Sequence, residues 1–174
     1  MEDLNKAREL MEWLKVILFA VMIALLLKGF VFTVSIVEGE SMEPALKNGE
    51  RVIFNKVIYL IDEPQRNDIV FIKRPVKNYV KRIVGLPEET IEIVQGELYI
   101  DGERTSQSFL NDKDKVLTGN IGPLTIPKNK YFVMGDNRAI SKDSRNGLGF
   151  VHKNEIIGRS EMIIYPFNEI ELTK

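Results

Sequence analysis

Between Val16 and Leu27 the chain reads VILFAVMIALLL, twelve apolar residues in a row. Twelve fall short of the about twenty that a helix needs to cross a hydrocarbon layer. The window widens to 13–32, however, with Lys15 and Lys28 as its only charges. Both lie near the ends, where a long stem can run along lipid and place its ammonium among headgroups. Eighteen residues rising about 1.5 Å each make roughly 27 Å, and Trp13 falls where an interfacial aromatic belongs. A core helix rarely runs three turns without a polar side chain, and a surface-lying helix would show a polar face. A cleaved leader would carry a basic amino-terminal region and a small-x-small site after the run. Here Glu2, Asp3, Glu9 and Glu12 precede it, and the nearest such triplet, Thr33-Val34-Ser35, lies beyond Lys28. An uncleaved transmembrane anchor over 13–32 is the reading that remains, with 1–12 ahead of it. Lys6, Arg8 and Lys15 precede the span, and no basic residue follows Lys28 before Lys47. That bias predicts a cytoplasmic amino terminus and an extracytoplasmic 33–174.

After Gly29 the pattern turns to alternation, with Phe30, Phe32, Val34 and Ile36 on one parity. Short β-rich runs follow at 51–57, 68–73, 79–84, 90–94, 97–100, 130–134 and 155–165. They are separated by turn signals such as Lys47-Asn48-Gly49, Gln95-Gly96, Asp101-Gly102 and Asn146-Gly147. No later window reads as a long helix. The expected fold is therefore mostly β, an antiparallel sheet domain on one amino-terminal transmembrane helix. The polar, weakly periodic stretch 102–122 reads as a loop or peripheral excursion.

Composition then narrows the chemistry. With no Cys, disulfides, thiolate zinc sites and a thiol nucleophile are excluded. A single His, His152, rules out a multi-His metal site and leaves only itself for a Ser-His-Asp triad. It has no carboxylate motif beside it and reads as a surface or edge residue. A net charge of −1 argues against a basic nucleic-acid binder. The cluster Lys73, Arg74, Lys77, Lys81 and Arg82 is expected to meet lipid headgroups, if any phosphate.

Three constellations could do chemistry. Ser41 follows Glu38-Gly39-Glu40 and precedes Met42-Glu43-Pro44, a turn after a strand where a nucleophile or a capping residue can sit. Lys81 alternates onto the face of Tyr79 and Ile83, with Arg82 facing the other way beside Val80 and Val84. Either both cations reach solvent, or Lys81 is desolvated and its neutral amine can act as a base. Bringing its pKa to about 8 needs roughly 3 kcal/mol. The segment 134–147 packs acids, arginines and hydroxyls into one loop; Arg138 and Arg145 argue against calcium. Asp143 with Arg145 reads as a loop-fixing ion pair, and Ser141 or Ser144 could orient a base.

Taken in order, these segments resemble the bacterial type I signal peptidases, membrane-anchored proteases with a Ser-Lys dyad. The resemblance is carried by the anchor, then Ser41-Met42-Glu43-Pro44-Ala45-Leu46, Asp68-Ile69-Val70-Phe71 and Lys81-Arg82-Ile83-Val84-Gly85-Leu86-Pro87. It ends with Gly135-Asp136-Asn137-Arg138, Ser141, Asp143-Ser144-Arg145 and Gly147. It implies Ser41 as nucleophile, Lys81 as general base, Ser141 as a hydroxyl on the lysine amine, and Asp143 with Arg145 holding the loop. It also implies that Ile36, Asn78, Tyr79 and Val80 bind an extended substrate, an exported preprotein cleaved after small residues at an A-x-A site. No cofactor or nucleic acid is implied, and oligomeric state is left open. Five positions depart from the pattern. Ala45 replaces a Thr, Asn67 stands where Gly precedes Asp68, Glu88-Glu89 replaces Gly-Asp, and Gly39 stands where some members place an oxyanion-donating Ser. The rival reading is a catalytically silent anchored β module that binds envelope partners.

Overall fold

One helix, α1 (Glu2–Val31), takes in the whole apolar run. The structure, a computed structural model, describes residues 2–173, with the side chains of 2–5, 7, 27 and 28 outside that description. The roles expected for Glu2, Asp3 and Lys28 therefore lie outside the described residues. The span Arg8–Val31 contains an 18-residue window with a mean hydropathy of 2.4, and none of that window is buried against the rest of the chain. Leu18 and Phe19 are each about 60% exposed. An apolar helix that packs on nothing is not a core helix, and its length and composition suit a bilayer.

The helix ends within the expected 13–32 span, but alternation begins two residues later than read, at Phe32, because Phe30 and Val31 are still helical. Lys56 explains the extension. Its backbone N–H donates to Val31 O at 2.8 Å, and its ammonium donates to Gly29 O at 2.8 Å. Carbonyls that a helix end leaves unpaired thus acquire donors, one of them a cation at the negative end of the dipole.

From there the chain is mainly strand: β1 (Phe32–Ile36), β2 (Arg51–Asn55), α2 (Ile58–Ile61), β3 (Ile69–Ile72), β4 (Tyr79–Gly85), β5 (Thr90–Val94), β6 (Glu97–Ile100), β7 (Glu103–Thr105), α3 (Asp112–Leu117), β8 (Ile121–Thr125), β9 (Lys130–Met134), β10 (Val151–His152), β11 (Ile156–Tyr165) and β12 (Glu171–Leu172). The larger sheet runs β1-β2-β11-β3-β4-β9-β10, with β12 on β11; a smaller one runs β7-β6-β5-β8. The pairings are antiparallel. The fold is the mostly β one expected, but in two sheets. The stretch read as loop contributes β7 and α3, the latter capped by the Asn111 side chain on Asp114 N at 2.9 Å.

The smaller sheet packs Ile91, Ile93 and Leu98 against Val84, Phe132 and Met134 of β4 and β9. A second cluster gathers Met42, Leu46, Val52, Phe54 and Ile163 beneath the segment after β1. β4 is covered on both faces, and every residue from Lys81 to Gly85 is buried. The idea that both Lys81 and Arg82 reach solvent is overturned here. Alternation sends them to opposite faces, and neither face is open. Arg74 is tied to Glu155 at 3.1 Å while Lys73 and Lys77 stay exposed, so the five cations form no single surface patch. His152 caps a short 3-10 turn, its Nδ1 accepting from Asn154 N at 3.3 Å.

Candidate active site

Ser41 sits in a turn between the β1 edge strand and two buried anchors, Met42 and Leu46, each at most 1% exposed. Leu46 N donates to Met42 O at 2.9 Å, which closes the turn. The apolar pair pins the turn to the core and leaves the intervening hydroxyl at the surface of a cleft. Across that cleft, Lys81 Nζ lies 2.6 Å from Ser41 Oγ. Lys81 is only 3% exposed. Burial lowers its pKa from 10.5 to about 8, against the opposing pull of Asp143 and Asp136; Lys77 and Arg145 push the same way as burial. A lysine that is neutral in a useful fraction near pH 8, at hydrogen-bond distance from a hydroxyl, has the geometry to take that hydroxyl's proton.

The cleft holds about 420 Å³. One wall is Ser35 to Met42, the other Lys77 to Lys81, with Ile140 and Lys142 at the lip. Ile36, Asn78, Tyr79 and Val80 all line it. β4 pairs with β3 at Tyr79 and Val80, but its pairing with β9 starts only at Arg82. The backbone edge of 79–80 away from β3 therefore faces the cleft without a strand partner, and β1 opposite is the terminal strand of its sheet.

The loop after β9 closes the site from below. Gly135 N and Arg145 N donate to the two Asp143 oxygens at 3.0 and 3.2 Å, and the Arg145 guanidinium adds contacts of 2.9 Å to each. Burial raises the Asp143 pKa, but the Arg145 and Gly135 hydrogen bonds outweigh it and hold the carboxyl below its ordinary range. Gly135 must be glycine. A Cβ there would collide with Ser41 O and Ser141 Oγ and come within 2.6 Å of Ser141 Cβ. Asn137 N donates to Ser41 O at 3.2 Å. Ser41, Gly135 and Ser141 are thus stacked together, yet the buried Ser141 Oγ, whose nearness to Asp143 helps to lower that carboxyl's pKa, makes no well-formed hydrogen bond. Its expected bond to the lysine amine is not formed. Ser144 instead ties β9 to the loop, accepting from Val133 N at 2.9 Å and donating to Gly149 O at 2.8 Å.

Sequence reasoning missed the pairing of Arg82 with Asp136. Arg82 Nε and Nη2 donate to the two Asp136 oxygens at 2.9 and 2.7 Å, and both side chains are 1% exposed. The available signal was an arginine alternating with Val80 and Val84, since a guanidinium on an apolar face needs a carboxylate. Two departures fall on strained backbone: Asn67 has φ 74° and Glu88 φ 69°, where a glycine is at ease. Glu89 compensates, accepting from Leu86 N at 2.7 Å and Arg66 Nη2 at 2.6 Å. Gly39, at φ 84°, gives its N–H to Asn48 Oδ1 at 2.9 Å. Among the described residues, no three His, Asp or Glu side chains converge to hold a metal.

Comparison with known proteins agrees with this geometry. A sequence model described as signal peptidase, peptidase S26, matches residues 10–165. Signal peptidase I of Bacillus licheniformis is 45% identical over 97% of this chain and 96% of its own length. Signal peptidase I S of Bacillus subtilis strain 168 is 44% identical over 99% and 98%. The crystal structure of a signal peptidase I from Enterococcus faecalis V583 superposes with a TM-score of 0.51 at 34% identity, covering 57% of this chain and 97% of that one. With near full-length similarity in sequence and a shared β fold, the chain belongs to the signal peptidase family, peptidase S26.

Proposed function

We propose that this peptidase is a membrane-bound serine endopeptidase that removes amino-terminal signal peptides from exported preproteins, cutting after small residues at A-x-A sites. The observation that carries the reading is the 2.6 Å approach of the buried Lys81 amine to Ser41 Oγ at the floor of the cleft. Neutral Lys81 takes the Ser41 proton as Oγ attacks the scissile carbonyl. The resulting ammonium protonates the leaving amine, and Lys81 then activates the water that hydrolyses the ester. The Ser41 N–H would be one oxyanion donor. The Gly39 N–H is committed to Asn48 and is not the second. An extended substrate adds as a strand between 35–38 and 78–80, which satisfies its backbone. Ser141 completes the base's surroundings, and Asp143 with Arg145 fixes the loop.

Residues 13–32 anchor the enzyme in the bacterial cell membrane, with 1–12 in the cytoplasm and 33–174 outside, next to emerging preproteins. A silent binding module has no use for a desolvated lysine, which costs stability (Discussion). The test is cleavage of a preprotein by full-length enzyme in detergent. Ser41→Ala and Lys81→Ala should abolish it, and wild-type turnover should rise with pH through about 8. Processing by either variant would overturn the assignment.

A further inference from the structure

We infer that Thr118 and Phe109, on the segment joining β7 to β8, are positioning residues for the Ser41–Lys81 pair. This rests on the function proposed above. Neither residue lines the cleft.

Thr118 is 6% exposed and holds two arginines of the loop after β9. Its hydroxyl accepts from Arg138 Nη1 at 3.0 Å and donates to Asp114 O at 3.0 Å, on α3. Its carbonyl accepts from Arg145 Nη1 at 3.3 Å. Arg138 is 2% exposed. Besides Thr118 it reaches Gly135 O through Nε at 3.1 Å, while Nη2 is buried without a partner. Thr118 Oγ1 is thus the one side-chain acceptor this guanidinium has among the described residues. The tie runs from α3 through Thr118 and Arg138 to Gly135, the residue wedged against Ser41 O and Ser141.

Phe109 makes a parallel connection to the base. Its ring lies under the Arg82 guanidinium at 4.3 Å and near that of Arg138 at 5.9 Å. Arg82 is the residue after Lys81 and carries Asp136. The ring offers its electron-rich face to this buried cation.

Removing the Thr118 hydroxyl leaves the buried Arg138 with one carbonyl, and a buried charge stripped of an acceptor moves or draws in water. Either response shifts Gly135 and the serine it supports. Displacements of about 1 Å cost rate rather than binding, because attack on the carbonyl carbon depends on alignment.

The test uses full-length enzyme in detergent, a secreted preprotein with an A-x-A site, and active sites counted by a serine-reactive probe. Thr118→Val should lower kcat per active site by about tenfold or more with KM within about twofold, and Thr118→Ser should restore it. Phe109→Leu should lower kcat in the same way, and Phe109→Tyr should not. Ser41→Ala runs alongside. If it still cleaves, the assigned dyad is wrong. If it is dead while Thr118→Val, or Phe109→Leu where Thr118→Val does not fold, turns over at the wild-type kcat, the positioning role is wrong. A loss appearing only in melting temperature would overturn it equally.

Discussion

Lys81→Met should make the enzyme inactive and, at neutral pH, more stable. In an unfolded chain this lysine titrates at 10.5; in the fold, burial brings it to about 8. The gap corresponds to about 3 kcal/mol at 1.36 kcal/mol per pH unit. Between about pH 8 and 10.5 the unfolded chain binds more protons than the folded one, so stability rises with pH through that window. Below about 8 both states are protonated and the full cost is present; above 10.5 it has vanished. Methionine fills a similar volume without a charge. The stability difference between variant and wild type should therefore approach about 3 kcal/mol at pH 6–7 and fall to a small packing remainder near pH 11. Tyr59 and Tyr131, both raised chiefly by burial, titrate in the alkaline range too, but they are common to both proteins and cancel. The assay is urea unfolding in detergent, followed by circular dichroism at several pH values. A difference that is flat from pH 6 to 11, or a variant less stable than wild type at pH 6, would refute the claim that desolvation tunes this lysine.

Two further outcomes follow from the loop after β9. Gly135→Ala places a methyl against Ser41 O, a backbone atom that cannot swing aside. It should cost about 2 kcal/mol in stability and at least tenfold in preprotein cleavage, read by unfolding and by turnover; wild-type turnover would show that the wedge does not position Ser41. Ser141→Ala removes a buried hydroxyl that makes no well-formed hydrogen bond and only helps to lower the Asp143 pKa, so the melting temperature should change little. Cleavage should nevertheless fall at least tenfold if that hydroxyl meets the Lys81 amine during turnover; unchanged turnover would remove Ser141 from the machinery.

What could be read from the residues depended on whether the signal was local. The long apolar helix was legible because length and apolarity are written in consecutive residues, and the late start of the strand, at Phe32 rather than Phe30, arose from a contact with Lys56, 25 positions beyond Val31. Strands with clear alternation, such as Thr90–Val94, were legible as strands. Their assignment to a separate small sheet was not, because partner choice is a property of distant packing. Ser41 and Lys81 were singled out by flanking motifs, and the structure places them 2.6 Å apart. Alternation alone left open which cation faced what. Arg82 was settled by Asp136, a carboxylate 54 positions away that covers the second face of β4. Thr118 and Phe109 carried no local signal for the site, lying in a stretch without periodicity whose contacts toward the site run to arginines at 82, 138 and 145.

The placement of Lys81 reconciles two demands that oppose each other. A lysine must lose water to be a base near neutrality, yet the atom it serves must meet a substrate arriving from solvent. β4 meets both by changing character along its length. At Tyr79 and Val80 it is paired on one side only, so its free backbone edge can receive an extended peptide. At Arg82 it pairs with both β3 and β9, and from Lys81 to Gly85 it is buried on both faces. Lys81 is the residue at that boundary. Its stem enters the core, and its amine emerges at the cleft floor beside Ser41. A shift of one position either way would fail. At 80 the amine would fall on the opposite face, at a position only partly buried, and would lose less of its water. At 82 it would meet Asp136, which would keep it protonated. On this argument the chain needs no histidine because the sheet itself supplies the desolvation, and the register of a single strand decides which cation becomes the base.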